Sequence, residues 1–181
     1  MEKIGARLAE GDRDILKRLA DFVFLQPAQL VELVGRSRRV VWRRLHALET
    51  LGFAMRLHDP ADKWAPAAWC LRQKGWDFLG VEADWEDDRS NKNLRHDLEI
   101  TGIHLALWRM FGDEKMQWHQ VGIQSEGVRP DGLFAVNVNG KWRCFVLEYE
   151  NTLRREQRDG EDARLHKLRQ YVEYAGGQFQ K

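Results

Sequence analysis

The sequence predicts an α+β chain built in two parts, and three observations carry that reading. Apolar residues recur at helical spacing through the first fifty positions, punctuated by Gly and Pro. Short apolar runs then flank two polar tips, one at His58 to Ala61 and one at Asn139-Gly140, which is the pattern of hairpins. A second pair of helical patterns, 94–111 and 161–175, brackets the later strands. With 43% hydrophobic and 31% charged residues over 181 positions, the composition is globular, and eight tryptophans can furnish a substantial core.

The elements follow in order. Residues 12–24 place Ile15, Leu16, Leu19, Phe22 and Val23 on one helical stripe. Pro27 fits the first turn of a short helix over 28–34, which Gly35 ends. Ser37 stands where it can cap a third helix, 38–51, with Val41, Leu45 and Leu48 on its apolar side and Gly52 after it. Residues 53–57 and 67–71 read as the arms of a hairpin, and 72–79 as a closing helix. Polar, acidic residues then suggest a linker at 81–93. Residues 94–111 form the next helix, with Leu98, Thr101, Leu105 and Trp108 in register. Strands at 116–123, 132–138 and 142–149 follow, and a final helix at 161–175 is stopped by Gly176-Gly177. The expected division is 1–80, a linker at 81–93, and 94–181.

Several classes are excluded or disfavoured at this level. No run approaches the ~20 apolar residues of a membrane span, and the N-terminus has no signal-peptide core, so a cytoplasmic protein is expected. Cys70 and Cys144 lack metal-ligand spacing and sit among apolar neighbours, as buried thiols would. Trp64, Trp69 and Trp76 read as core residues rather than stacking platforms. The net charge of +1 is uninformative, but residues 1–80 carry a surplus of about four positive charges. A local basic patch on a neutral protein fits specific nucleic-acid contact.

That patch is concentrated in one helix. Arg36, Arg39 and Arg43 share a face, Arg38 and Arg44 flank it, and Val41, Leu45 and Leu48 form the opposite stripe. Two helices, a basic third helix and a hairpin form the order of a winged helix-turn-helix, whose recognition helix enters the DNA major groove. Arginine suits this position because its fork matches guanine O6 and N7 and also pairs with phosphate. Ser37 and the free amides at the helix start are placed for a phosphate. Lys63, with His58 and Arg56, would lie on the wing along the backbone or in a minor groove.

The second part carries a different signal. Pro130-Asp131-Gly132 opens one strand of the Asn139-Gly140 hairpin, and Glu148-Tyr149-Glu150 ends the other. Alternation returns Glu148 and Glu150 to one face and sends Tyr149 to the other. Asp131, Glu148 and Glu150 at one end of a small sheet would offer oxygen ligands to Mg²⁺ or Mn²⁺. Lys167, on the following helix, is placed to neutralise a phosphate.

These residues resemble the PD-(D/E)xK nuclease pattern, with Glu150 standing where the motif has lysine and Lys167 as the natural substitute. The whole chain resembles the replication-relaxation family of plasmid and mobile-element proteins, related to plasmid mobilisation relaxases of the MobC class. The matching residues are Arg13-Asp14 with Ile15-Leu16, Arg43-Arg44-Leu45 with Leu48, Gly75, His96 and Leu98, Pro130-Asp131-Gly132, Leu147 to Glu150, Thr152, Lys167 and Tyr171. The resemblance implies a winged helix followed by a small restriction-endonuclease-like α/β domain. Members continue past the last helix with further strands, so a domain incomplete at its C-terminus is expected here.

By the same resemblance, Asp131, Glu148 and Glu150 would hold the metal and Lys167 would assist, with His96 or Glu99 approaching from the helix. The implied function is a sequence-directed double-stranded DNA-binding protein that nicks DNA with a divalent metal, in mobilisation or replication control. A relaxase or replication protein would be its partner, and a homodimer is expected. Two alternatives stay open: a non-catalytic regulator whose second domain serves dimerisation or docking, and a protein-binding antagonist whose acidic linker imitates nucleic acid.

Overall fold

In a computed structural model, which describes residues 7–59, 62, 64–81, 94–119 and 130–149, Gly11 (φ 85°) turns the chain into α1 (Asp12–Phe22). The buried stripe of α1 is Ile15, Leu16, Leu19 and Phe22, as the 3.6-residue spacing requires. Val23 then adopts φ 61° and ψ −54°, and the Phe24 N–H donates to the Phe22 carbonyl at 2.7 Å. A β-branched residue in this conformation costs on the order of 1–3 kcal/mol and persists only where surrounding contacts fix it. Here the turn delivers Leu25 to the hairpin, where it exchanges two backbone hydrogen bonds with Trp69 (3.0 and 2.8 Å).

Helix α2 (Pro27–Val34) starts with proline in its first turn and a capping box in which the Gln29 side chain accepts the Gln26 N–H at 2.8 Å. Gly35 ends it at φ 61°. Helix α3 (Arg38–Thr50) buries Val41, Leu45 and Leu48 completely. Ser37 occupies its N-cap position, but its side chain makes no capping bond. Strands β1 (Ala54–Leu57) and β2 (Ala68–Leu71) pair antiparallel, Ala54 opposite Leu71 and Leu57 opposite Ala68. Helix α4 (Gln73–Leu79) closes this arrangement with Trp76 inside. Three helices, a bridge at Leu25, and a hairpin make a winged helix, and the chain as a whole is α+β.

The chain divides into two units, Met1–Gly112 and Asp113–Lys181. The expected boundary placed 94–111 with the second part; α5 (Leu94–Phe111) instead belongs to the first unit. The reason is packing. Leu105 joins the core of α1, α2, α3 and β2, the Thr101 hydroxyl donates to the Phe22 carbonyl at 3.3 Å, and His104 stacks on Phe22 at 4.1 Å. Leu94 meets Val23, Phe24, Ala68 and Cys70 in a second cluster. Most of the expected linker, 82–93, lies outside the described residues.

In the second unit, β3 (Met116–His119), β4 (Gly132–Val138) and β5 (Lys141–Leu147) form an antiparallel sheet in that order. Asn139 and Gly140, at φ 54° and 78°, make the β4–β5 turn, the left-handed pair that a two-residue hairpin needs. Trp118, Phe134 and Phe145 stand opposite one another across the three strands and stack at 5.6 and 5.1 Å. Cys144, expected to be buried, is exposed on β5, whereas Cys70 is buried as expected. The expected helix at 161–175 lies outside the described residues. No helix among those described is long and apolar enough to cross a membrane.

Candidate nucleic-acid interface

Burying Val41, Leu45 and Leu48 fixes the rotation of α3 and decides which of its arginines face solvent. Arg38, Arg39 and Arg43 are exposed, and none makes an ion pair or hydrogen bond within the described residues. Arg39, Trp42, Arg43 and His46 follow at i, i+3, i+4 and i+7, so they line one outward face. Trp42 and His46 were missed as members of that face, although the same spacing that marked the arginines includes them. Their rings lie 5.7 Å apart, and His46 meets the buried Trp69 edge-on at 5.7 Å. The outer face is thereby tied to the base of the hairpin.

Two of the expected DNA-binding arginines are held by α1 instead. Arg44 forks onto Asp12: its Nε donates to Oδ1 at 2.7 Å and its Nη2 to Oδ2 at 2.6 Å. Its Nη2 also donates to the Arg7 carbonyl at 2.8 Å. Hydrogen bonding to Asp12 raises the Arg44 pKa further above its already high ordinary value. At position 44 the helix faces the core rim, so this arginine is a structural strut and not a base reader. Arg36 precedes the helix. Its guanidinium covers Gly11 and sits 3.5 Å from both the Glu10 carbonyl and the Asp14 carboxylate. Arg36 is thus only loosely engaged, and Ser37 beside it is exposed.

The hairpin lies against the same helix. Arg56 on β1 reaches Glu49 of α3 at 3.8 Å, and the Lys74 ammonium donates to the Leu51 carbonyl at 2.9 Å, satisfying the end of α3. Lys63 lies outside the described residues. Beside it, Asp62 forms a tight turn in which its Oδ1 accepts the Trp64 and Ala65 N–H groups at 2.9 and 3.2 Å. Trp69 and Trp76 are core, as expected, but Trp64 is not: it is 95% exposed.

Of the three expected carboxylates of the second unit, Asp131 and Glu148 lie among the described residues. Asp131 and Glu148 each stand one position beyond the last paired residues, Gly132 and Leu147, so they meet at one end of the β4–β5 pair. The Asp131 N–H donates to the Leu147 carbonyl at 3.0 Å, and its carboxylate accepts the Tyr149 N–H at 2.7 Å. One Asp131 oxygen is therefore already used in closing the strand end. Glu150 and Lys167 lie outside the described residues. Among those described, no group of three or more His, Cys, Asp or Glu side chains is placed to hold a metal ion. His96 and Glu99 belong to α5 of the first unit, where His96 lies 3.7 Å from Asp97.

The replication-relaxation family profile matches residues 16–181 of this sequence. No curated protein matches it. Similar solved structures include a mutant of MarR from E. coli complexed with operator DNA, at 16% identity and a TM-score of 0.37, covering 55% of this chain and 59% of that one. BpsR of Bordetella bronchiseptica, described in terms of regulation of its DNA binding by 6-hydroxynicotinic acid, is 15% identical with a TM-score of 0.38 and covers of 55% and 62%. The adhesin competence repressor AdcR from Streptococcus pyogenes is 15% identical with a TM-score of 0.38 and covers of 60% and 71%. The chain spans about three fifths of the operator-bound MarR chain and of the BpsR chain.

Proposed function

The chain belongs to the replication-relaxation family, and from that premise we propose that it is a sequence-directed double-stranded DNA-binding protein of a plasmid or mobile element, acting in the cytoplasm. One observation carries this reading: α3 buries its aliphatic stripe and leaves Arg38, Arg39 and Arg43 exposed, with no carboxylate of the described residues paired to them. Guanidinium groups with no partner among the described residues keep their capacity for phosphate and guanine. The test is duplex binding by fluorescence anisotropy across a salt series, using DNA from around the gene's own origin region. Changing both Arg39 and Arg43 to Ala should lower affinity and reduce the log–log salt slope by about 2, roughly 0.9 per lost phosphate contact. Unchanged affinity and slope would overturn the proposal.

The second unit is proposed as the nuclease-like part, which nicks DNA in mobilisation or replication control, with a relaxase or replication protein as the partner class. What supports this is the meeting of Asp131 and Glu148 at one sheet end. Mg²⁺ or Mn²⁺ would be held by Asp131, Glu148 and Glu150, with Lys167 assisting, and would supply an activated water. Asp131→Ala should then abolish Mn²⁺-dependent nicking of supercoiled plasmid while leaving duplex binding intact.

A second reading is favoured by the 2.7 Å bond from the Tyr149 N–H to the Asp131 carboxylate. That bond gives Asp131 a structural task at the strand end, and on this reading the second unit would serve dimerisation or docking in a non-catalytic regulator. This reading expects no cleavage with any divalent metal and a lower melting temperature for Asp131→Ala.

A further inference from the structure

We propose that the cleft walled by the start of α2, the hairpin loop and the start of α5 is a binding site for a small aliphatic diamine. All of its lining belongs to the first unit, so the site requires neither the second unit nor a duplex.

The cleft measures about 300 Å³, the lower end of the range that small ligands occupy. Three segments far apart in sequence wall it, and each is held by its own contacts. Gln26 and Gln29 form the capping box of α2. Asp62 braces the hairpin loop: its carboxylate accepts the Trp64 and Ala65 N–H groups at 2.9 and 3.2 Å, and its own N–H donates to the Asp59 carbonyl at 3.3 Å. Leu94, at the start of α5, is buried against Val23, Phe24, Ala68 and Cys70, with Leu98 packed beside them. Walls already fixed lose little freedom when a ligand enters.

The charges on those walls select the ligand. Asp59, Asp62 and Glu99 supply three carboxylates against the single guanidinium of Arg95. Arg95 and Glu99 stand at i and i+4 on α5, a spacing at which opposite charges can pair across a helical turn. Neither makes an ion pair or hydrogen bond with a described residue. The Glu99 carboxylate is therefore uncommitted on its wall of the cleft. Among the described residues, no group of three His, Cys, Asp or Glu side chains is placed to hold a metal ion. The negative charge is accordingly spread over the walls instead of gathered at one point, which suits an extended cation over a spherical one. A short diamine has that form. One ammonium group meets Glu99 on α5, the other meets a carboxylate of the hairpin loop, and each contact is a charge-assisted hydrogen bond. The methylenes between them lie along Leu94 and Leu98 and leave water.

The experiment is calorimetric titration of the full chain with cadaverine, a five-carbon diamine, and with glutarate, a dicarboxylate of the same carbon count. Cadaverine should bind saturably and one-to-one, and glutarate should not bind. At ten times its Kd, cadaverine should raise the melting temperature by about 5 °C. The variants on α5 should move affinity in opposite directions. Glu99→Gln should weaken cadaverine about tenfold, the scale of a lost hydrogen bond to a charged group. Arg95→Gln, which removes the like charge, should tighten it about threefold. Glu114→Gln makes the same charge change as Glu99→Gln at an exposed position outside the lining, and should bind like wild type. The proposal is overturned if cadaverine gives no saturable heat, or if glutarate binds more tightly than cadaverine. It is also overturned if Glu114→Gln costs as much as Glu99→Gln, because the attraction is then diffuse, or if the two α5 variants shift affinity the same way.

Discussion

Arg44 of α3 and Asp12 at the start of α1 form a two-pronged ion pair with bonds of 2.7 and 2.6 Å, and both are largely shielded from solvent, with side-chain exposures of 16% and 2%. Asp12 is also bonded by the Ala9 N–H at 2.7 Å. The pair locks the helix that carries the exposed arginines to the first helix of the fold, so the basic face is held at a fixed rotation. Removing one partner of such a pair leaves a buried charge uncompensated.

Arg44→Ala should therefore destabilise the protein by about 3 kcal/mol, measured as a shift of the urea midpoint. Arg44→Lys should recover only part of this, because an ammonium cannot reproduce the planar fork. A loss below about 0.5 kcal/mol, the scale of an ordinary surface substitution, would show that the pair does not hold the helix.

Gly75→Ala tests the junction of α4 with the hairpin. In an open helix the change would gain about 1 kcal/mol. Here the new Cβ would overlap the Phe53 carbonyl oxygen, a backbone atom that cannot swing aside, and would lie 3.1 Å from Leu71 Cδ2. Overpacking of that kind costs about 1–3 kcal/mol, and the rigid partner puts it at the upper end. The expected net outcome is destabilisation by about 1–2 kcal/mol in a urea titration.

The placement of α5 in the first unit can be checked with fragments. A chain ending at Gly112 should melt cooperatively. One ending at Gly80 loses Leu105 from the core and the Thr101 bond to Phe22, worth about 2 and about 1 kcal/mol. Its melting temperature should fall by about 10 °C or more. Thr101→Val in the full chain should show the hydrogen-bond share alone.

The Arg109–Glu32 pair between α5 and α2, with bonds of 2.6 and 2.7 Å, makes a pH prediction. Hydrogen bonding to Arg109 lowers the Glu32 carboxyl below its ordinary 4.5. A depressed carboxyl pKa contributes stability that is present above the unfolded value and lost as pH falls through the folded one. The melting temperature of wild type should thus drop more steeply than that of Glu32→Gln below about pH 4.5, with the two curves parallel at neutral pH. The difference should be small and should shrink in high salt, because both side chains are about half exposed.

Much of the fold was legible because it rests on local rules. The stripe Ile15, Leu16, Leu19 and Phe22, the stripe Val41, Leu45 and Leu48, the stop at Gly35 and the turn at Asn139-Gly140 each follow from the spacing or backbone freedom of nearby residues. Arg39 and Arg43 followed too, because whatever lies opposite a buried helical stripe faces solvent. Asp131 and Glu148 were brought together by hairpin register, which is also local.

What the sequence could not decide was where each charged or aromatic group finds its partner. Arg44 and Arg39 are the same residue type on one helix, yet only Arg44 meets a carboxylate thirty-two positions away. Trp64 and Trp69 sit in the same hairpin, but one is exposed, with its backbone N–H bonded to Asp62, and the other is paired to Leu25 across the strained turn at Val23. Helix α5 was read correctly from end to end, yet its own period does not say which core receives Leu105. The sequence by itself determined the elements and the outward basic face, because those depend on neighbours within a turn or a strand. The tertiary structure alone decided which arginine is a strut, which tryptophan stays outside the core and which unit owns α5, because those depend on contacts between residues far apart in the chain.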